Sequence, residues 1–275
     1  MIEISEWWGS ISPKPESWLI YGKGPSFARR HEFDASGFRT IAMNHSIREM
    51  RAFASSTIDL EVVRDCGEYM LANSEYLILP RYPHVSMVRD QNASDVPLEG
   101  LFNEVPVLRR LSDEGRLVWY SLSSGPEIAG AKRYPCLNFS SEVLFEILGD
   151  LGAKRIWTIG IEGGGTYAAD FNDLFGQTFL SNTQSSYDIQ FRGIARAVLK
   201  YNIDYNAAVG TVLPQVTRQL QSDIEVLLSE VAAAKERVTF LEADNARLRN
   251  RARSIIRKFT PSQIAHLVSR LKAKT

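Results

Sequence analysis

Between residues 17 and 210, short apolar runs alternate with stretches of helical periodicity. This alternation is typical of β-α-β units, because side chains repeat every two residues along a strand and every 3.6 along a helix. It predicts an α/β domain with a mostly parallel, Rossmann-like sheet over residues 1–210. The predicted strands are Trp18–Tyr21, Thr40–Met43, Leu60–Val63, Tyr76–Leu79, Leu117–Tyr120 and Arg155–Ile159.

Most of these runs end in a glycine, an asparagine or a charged residue. Open parallel sheets bind ligands at the carboxyl ends of their strands, so we expect the chemistry of the protein at these positions. Residues 81–116 differ, since they hold several prolines and show little periodicity. We expect an irregular or partly helical insertion there.

After Pro214 the apolar residues fall into heptad register, which predicts a coiled coil over residues 212–258. A single asparagine at an a position favours a parallel dimer, because a buried Asn pairs best with its symmetry mate; a trimer is the second choice. The alternative is one long helix that packs back on the α/β domain. The d positions are Leu220, Leu227, Ala234, Leu241, Leu248 and Ile255, and the a positions are Ile224, Val231, Val238, Asn245 and Ala252.

A second, shorter helix is predicted over residues 260–275, with Thr260 as its N-cap, Pro261 at its first position and Gln263 completing a capping box. Its apolar residues share the helix with basic ones, as in helices that lie on membrane surfaces. We therefore expect residues 247–275 to bind an anionic membrane surface. A cap on the end of the coiled coil is the alternative interpretation.

Composition narrows the function classes. The 32 basic and 32 acidic residues balance, but no acidic side chain follows Asp244, so the tail is basic and the body mildly acidic. We expect no nucleic-acid partner for such a body. Cys66 and Cys136 stand alone and support neither a disulfide framework nor a zinc site. With no signal-peptide pattern and no apolar run of about 18 residues, we expect a cytoplasmic protein, peripheral on the inner membrane face at most.

A glycine-rich segment directly follows the first predicted strand, namely Gly22, Lys23, Gly24, Pro25 and Ser26. Its glycines can let backbone N–H groups approach a phosphate, and a following helix can direct its N-terminus at the same anion. The segment matches neither the dinucleotide-binding nor the P-loop pattern, so a plain tight turn is the alternative.

Two further segments complete a candidate nucleotide site. The next strand ends at Asn44, whose amide can bind a base or ribose edge or can merely cap the strand. Residues 138–141 (Asn-Phe-Ser-Ser) begin a helix that we expect to be amphipathic and to end near Gly152. A strand then leads into residues 160–170, which run from Gly160 through Glu162 and Tyr167 to Asp170.

This order of motifs over residues 17–206 resembles the bacterial sialyltransferases, which have a Rossmann-like GT-A variant fold. It is also similar to motility-associated and pterin-pyrophosphokinase-like proteins that share the Gly-x-Gly-Pro-Ser loop. The resemblance implies a glycosyltransferase that uses a CMP-activated acidic sugar of the sialic acid or Kdo type. The residues it implies for the donor site are Gly22, Lys23, Gly24, Pro25, Ser26, Asn44, Asp65, Ser140, Ser141, Gly160, Glu162 and Tyr167.

The resemblance implies two catalytic residues. Tyr167 corresponds to a tyrosine at the leaving phosphate, where a phenol can donate a hydrogen bond to the developing charge. The family's general base is a histidine before the last helix, and this chain has Asp188 at about that position. Asp188 is thus the candidate base, with helix N-capping as its alternative role.

Metal and cofactor are not expected, because no Asp-x-Asp follows an apolar strand; the reaction should proceed in the presence of a chelator. The expected acceptor is a cell-surface glycan or a lipid-linked glycan. Two other functions stay open. The chain could be a non-catalytic assembly protein that uses the coiled coil as its main output, or a pyrophosphokinase-like enzyme that uses ATP and magnesium.

Overall fold

The computed structural model describes residues 1–84, 96–136, 139–163, 166–174, 184–209 and 214–256, with only the backbone given at 184–189, 214–224 and 251–256. The strands are β1 (Ile2–Glu3), β2 (Ser17–Tyr21), β3 (Arg39–Met43), β4 (Ala52–Ser56), β5 (Ser74–Pro80), β6 (Leu117–Leu122), β7 (Arg133–Tyr134), β8 (Arg155–Ile159) and β9 (Asp204–Ala207). The α-helices are α1 (Ile4–Ser10), α2 (Leu60–Asn73), α3 (Pro106–Asp113), α4 (Ser140–Asp150), α5 (Gln184–Tyr201) and α6 (Pro214–Ile256). Short 3₁₀ helices span Pro25–Glu32, Asn44–Arg48, Leu98–Leu101 and Ala169–Leu174.

The strands form one open sheet in the order β1-β6-β5-β4-β3-β2-β8-β9, with β7 beside β6. Each pairing in the described part of the chain is parallel. This confirms the predicted α/β fold with a Rossmann-like, mostly parallel sheet. From β2 the chain adds β3, β4, β5 and β6 on one side and later places β8 on the other. The crevice between β2 and β8 is therefore the topological switch point, where ligands bind in such sheets.

Helices cover both faces of the sheet. One face packs on α2 and α3 through Leu60, Val63 and Leu108, and the other packs on α4 and α5 through Phe145 and Ile194. The first ten residues of α4 are buried. The prediction that this helix is amphipathic is therefore wrong, because α5 covers the side that would otherwise face solvent.

The buried carboxylate of Glu146 in α4 is neutralised by α5. It accepts hydrogen bonds from Arg196 Nε at 3.1 Å and from Lys200 Nζ at 2.9 Å. Pairing of this kind is what makes a buried charge tolerable.

One predicted strand is wrong. Leu60–Val63 begins α2, and the strand in this region is β4, eight residues earlier. Leu60, Val63 and Met70 recur at helical spacing and are buried on one face. β4 is made of alanines, serines and one phenylalanine, so it is too weakly apolar for the hydrophobic pattern to mark it. Ser55 Oγ is paired with Ser74 Oγ on β5 at 3.1 Å.

The predicted insertion at residues 81–116 is partly helical, as expected, since it contains the 3₁₀ helix Leu98–Leu101 and α3. The chain divides into two compact units between Leu220 and Gln221. In the C-terminal unit, Val231, Val238, Leu241 and Leu248 are each about half exposed. The predicted helix at 260–275 lies outside the described residues. No α-helix within the described ranges is both long and apolar enough to cross a membrane.

Candidate functional site

The loops that follow β2 and β8 touch at the switch point. Gly22 N–H donates to Ile159 O at 2.7 Å, and Gly24 N–H donates to Gly160 O at 2.8 Å. A Cβ on Gly22 would lie 2.3 Å from Gly160 O, which is well inside contact distance. Gly160 itself has φ +79°, a left-handed conformation that glycine adopts without strain. Both glycines are therefore required for the two loops to approach each other.

The protein itself takes up the polar groups of this loop. Ser26 N–H donates to Glu162 Oε1 at 2.6 Å, and Gly160 N–H donates to Ser26 Oγ at 2.8 Å. The carboxylate of Glu162 thus occupies the N-terminus of the 3₁₀ helix, where the sequence predicted a phosphate. The N–H groups of Gly22, Gly24 and Ser26 hold the two loops together, which differs from the predicted phosphate cradle.

The side chain of Lys23 supplies the positive charge of the loop. Its Nζ lies 4.5 Å from the ring centroid of Tyr167, and its carbonyl accepts a hydrogen bond from Ala168 N–H at 2.9 Å. Burial lowers the pKa of Lys23 to about 8, although the nearby Asp59 favours the charged form. Two predicted site residues, Lys23 and Tyr167, are therefore in contact across the crevice.

Asn44 lies at the carboxyl end of β3 in the left-handed region, with φ 53°. Ser46 Oγ, which can donate to Tyr21 O at 3.0 Å or to Met43 O at 2.8 Å, holds this turn against β2. Within the described part of the chain, Asn44 Oδ1 is buried and lacks a hydrogen-bond partner. A buried orphan acceptor of this kind is costly unless a ligand or water satisfies it.

His45 follows Asn44 and is buried, with its Nε2 3.4 Å from Oδ2 of Asp65 on α2. Burial and the charge of Lys23 lower the pKa of His45 to about 4, so the ring is neutral near pH 7. The predicted donor-site residue Asp65 has a largely exposed side chain. Its contact within the described residues is with His45.

The two serines at the start of α4 hold neighbouring segments. Ser140 Oγ accepts from Ile58 N–H at 3.3 Å, and Ser141 Oγ accepts from Gln190 Nε2 on α5 at 2.6 Å. Each hydroxyl can still donate its own proton. Asn138 lies outside the described residues.

The candidate base Asp188 lies within α5, since that helix begins at Gln184. The predicted position in a segment before the helix is therefore wrong, and so is the alternative role as N-cap. The reason is that the helix begins earlier than the apolar pattern indicated. Its side chain lies outside the described residues.

A His-Asp pair that the sequence pattern did not indicate lies at the same edge of the sheet, after β4 and β5. His84 Nδ1 is 3.0 Å from Asp59 Oδ1, and the two residues form an isolated parallel β-bridge. Asp59 follows β4 and His84 follows β5. The predicted strand at Leu60–Val63 would place Asp59 before a strand. Because Leu60 instead begins a helix, Asp59 follows β4, at the edge where site residues are expected.

No family model matches the sequence, and neither does any curated protein. Among solved structures, the chain is similar to the sialyltransferase CstII from Campylobacter jejuni, determined in complex with the substrate analogue CMP-3FNeuAc. The two share 12% sequence identity, over 72% of this chain and 83% of that one, with a TM-score of 0.38.

Proposed function

We propose that this protein is a glycosyltransferase that moves a CMP-activated acidic sugar, of the sialic acid or Kdo type, to a hydroxyl of a glycan or lipid-linked acceptor. The observation that carries the proposal is a cation and a buried orphan acceptor at the carboxyl ends of two neighbouring strands, beside the switch point. Lys23 and Asn44 follow the neighbouring strands β2 and β3. The motif order described above, which resembles that of bacterial sialyltransferases, names the donor class.

Each group has a task in such a transfer. The ammonium of Lys23 stabilises the phosphate charge that develops as CMP leaves, and the hydroxyl of Tyr167 donates a hydrogen bond to the same oxygens. The buried Oδ1 of Asn44 accepts from an amino or hydroxyl group of the nucleotide. Glu162 keeps the loop closed through Ser26 N–H, so its role in this proposal is to position the loop.

The experiment is a thermal-shift screen with CMP, CDP, UDP, GDP and ATP with magnesium. Ligand at 100 times its dissociation constant stabilises the folded state by about 2.7 kcal/mol, which such a screen detects. We expect selective stabilisation by CMP, in chelator as well, and its loss in Lys23→Ala. Lys14→Ala is the matched control, because Lys14 precedes β2 and so lies at the opposite edge of the sheet.

Other outcomes favour the other candidate functions. Stabilisation by ATP with magnesium alone supports a pyrophosphokinase-like enzyme, and stabilisation by none of the nucleotides supports an assembly protein. Either result contradicts the proposed transferase.

We further propose that α6 forms a parallel dimer. Its exposed a and d residues include Val231, Val238, Leu241 and Leu248, which leave an apolar stripe along the helix. Leu241→Lys should dissociate the dimer in size-exclusion chromatography with light scattering. Phe240→Lys is the control, since Phe240 is more exposed but lies at a c position. Equal effects of both substitutions would contradict the heptad assignment.

Binding of the basic segment 247–275 to an anionic membrane, with a peripheral location on the inner face, stays a proposal based on its composition. Its test is sedimentation with vesicles that contain phosphatidylglycerol, comparing the full chain with a chain ending at residue 258. Equal sedimentation of the two chains contradicts it.

A further inference from the structure

We propose that His84, oriented by Asp59, is the general base that removes the proton from the acceptor hydroxyl. The inference rests on the proposed function and names a residue of the same site. It replaces Asp188, the base implied by the sequence resemblance.

The backbone holds His84 in place from both sides. Its N–H donates to Ile58 O at 2.7 Å, and its carbonyl accepts from Leu60 N–H at 2.8 Å. These bonds tie the loop after β5 to the loop after β4, where Ser140 Oγ also binds Ile58 N–H. A residue anchored in this way needs little reorganisation to present its side chain.

The side chain of Asp59 is available to orient the histidine. Although Asp59 is the residue before α2, its carboxylate does not cap that helix and instead meets His84 Nδ1 at 3.0 Å. This contact makes Nδ1 the protonated nitrogen and leaves the lone pair on Nε2, as in carboxylate-oriented bases.

Exposure distinguishes the two His-Asp pairs of the sheet edge. The side chain of His84 is 63% exposed, whereas that of His45 is only 3% exposed. A base must touch the hydroxyl that it deprotonates, so His84 can act directly and His45 cannot without movement.

His84 and Lys23 lie at the same edge of the sheet. The strands β5 and β2 are three places apart, which corresponds to about 14 Å at ~4.8 Å per strand. The charge of Asp59 also acts on Lys23, so the two groups share one electrostatic environment.

The acceptor oxygen forms a bond to the anomeric carbon while its proton passes to His84 Nε2. The bond from that carbon to the phosphate oxygen breaks, and its electron pair leaves with CMP. Asp59 stabilises the imidazolium that results, and Lys23 stabilises the phosphate.

Activity should depend on pH through His84. The hydrogen bond that His84 donates to Asp59 raises the pKa of His84; burial opposes this, and the charges of Asp59 and Glu61 add to the increase. Because the base must be unprotonated, the rate should rise with pH through a midpoint above the ordinary pKa of histidine. In Asp59→Asn this midpoint should move to lower pH, which a merely structural role of Asp59 would not cause.

The experiment measures release of CMP from CMP-N-acetylneuraminic acid and from CMP-Kdo, with water as the acceptor. We expect His84→Gln to lower kcat by about 100-fold or more, within the usual range for a general base, and to leave the dissociation constant for CMP within about threefold. The control His31→Gln, an exposed histidine on the 3₁₀ helix after β2, should behave as wild type.

The outcomes separate the inference from the proposed function. If wild type releases CMP and His84→Gln releases it equally fast with the same pH profile, the inference is overturned and the proposed function stands. If instead Asp188→Asn alone abolishes release, Asp188 is the base and the inference is again overturned. If wild type neither binds CMP nor releases it from either donor, both are overturned.

Discussion

Replacing Gly22 by alanine tests whether the contact between the loops after β2 and β8 organises the site. The added Cβ would lie 2.3 Å from Gly160 O and 3.0 Å from Gly160 C. Both are backbone atoms, so no side-chain rotation can relieve the overlap. The strands are paired up to Tyr21 and Ile159, one residue before the contact, so the loops cannot separate without disturbing the sheet.

The size of the effect follows from what must give way. Separating the loops breaks the hydrogen bonds of Gly22 N–H and Gly24 N–H, which contribute about 0.5–1.5 kcal/mol each. Overpacking adds about 1–3 kcal/mol. The expected loss is therefore about 2–6 kcal/mol, or a fall in Tm of roughly 8–16 °C for 4 kcal/mol in a unit of this size.

Tryptophan fluorescence during urea unfolding measures this loss in the N-terminal unit alone. All five tryptophans lie in that unit, so α6 does not contribute; they are Trp7, Trp8, Trp18, Trp119 and Trp157. Gly9→Ala is the control, because a Cβ at Gly9 in α1 meets nothing within 4 Å. It should gain up to about 1 kcal/mol from helix propensity. A Gly22→Ala protein within 0.5 kcal/mol of wild type would refute the reasoning.

Three further predictions follow from the charges and the heptad. Affinity for CMP, measured by calorimetry, should fall as pH rises above 8, because Lys23 then loses its proton; Lys23→Arg should remove this dependence if it binds at all. The folded state should lose stability as pH falls from 6.5 towards 4, because the unfolded chain protonates His45 more readily in that window. This part of the acid loss should disappear in His45→Gln and persist in His31→Gln, as measured by urea unfolding at several pH values. Asn245→Val should raise the thermal stability of the coiled coil and allow oligomers other than dimers in light scattering, since the buried Asn specifies the dimer at a cost in stability.

The sequence indicated the strands that are longest and locally apolar, and it missed β1, β4, β7 and β9. β2, β3, β5, β6 and β8 lie where apolar runs predicted them. β4 is made of alanine, phenylalanine and serine, and its stability comes from pairing on both sides in the sheet. A local pattern carries no signal for a strand that is stabilised by its neighbours.

The same limit applies to the candidate site residues: those next to an apolar strand could be predicted, and their long-range contacts could not. The Gly22 loop and Asn44 could be predicted because each directly follows an apolar strand. The hydrogen-bond partners of the loop N–H groups could not be predicted, since Ser26 and Glu162 are 136 residues apart in the chain. The same holds for the contact of His84 with Asp59.

By itself, then, the sequence determined the class of fold, the glycine-rich turn after β2 and the heptad of α6, because these depend on residues within one or two elements. Only the tertiary structure decided which polar groups bind each other and which remain for a ligand. The physical reason is the order of the strands, which brings the ends of β5, β4, β3, β2 and β8 to one edge and so places distant side chains within hydrogen-bonding distance.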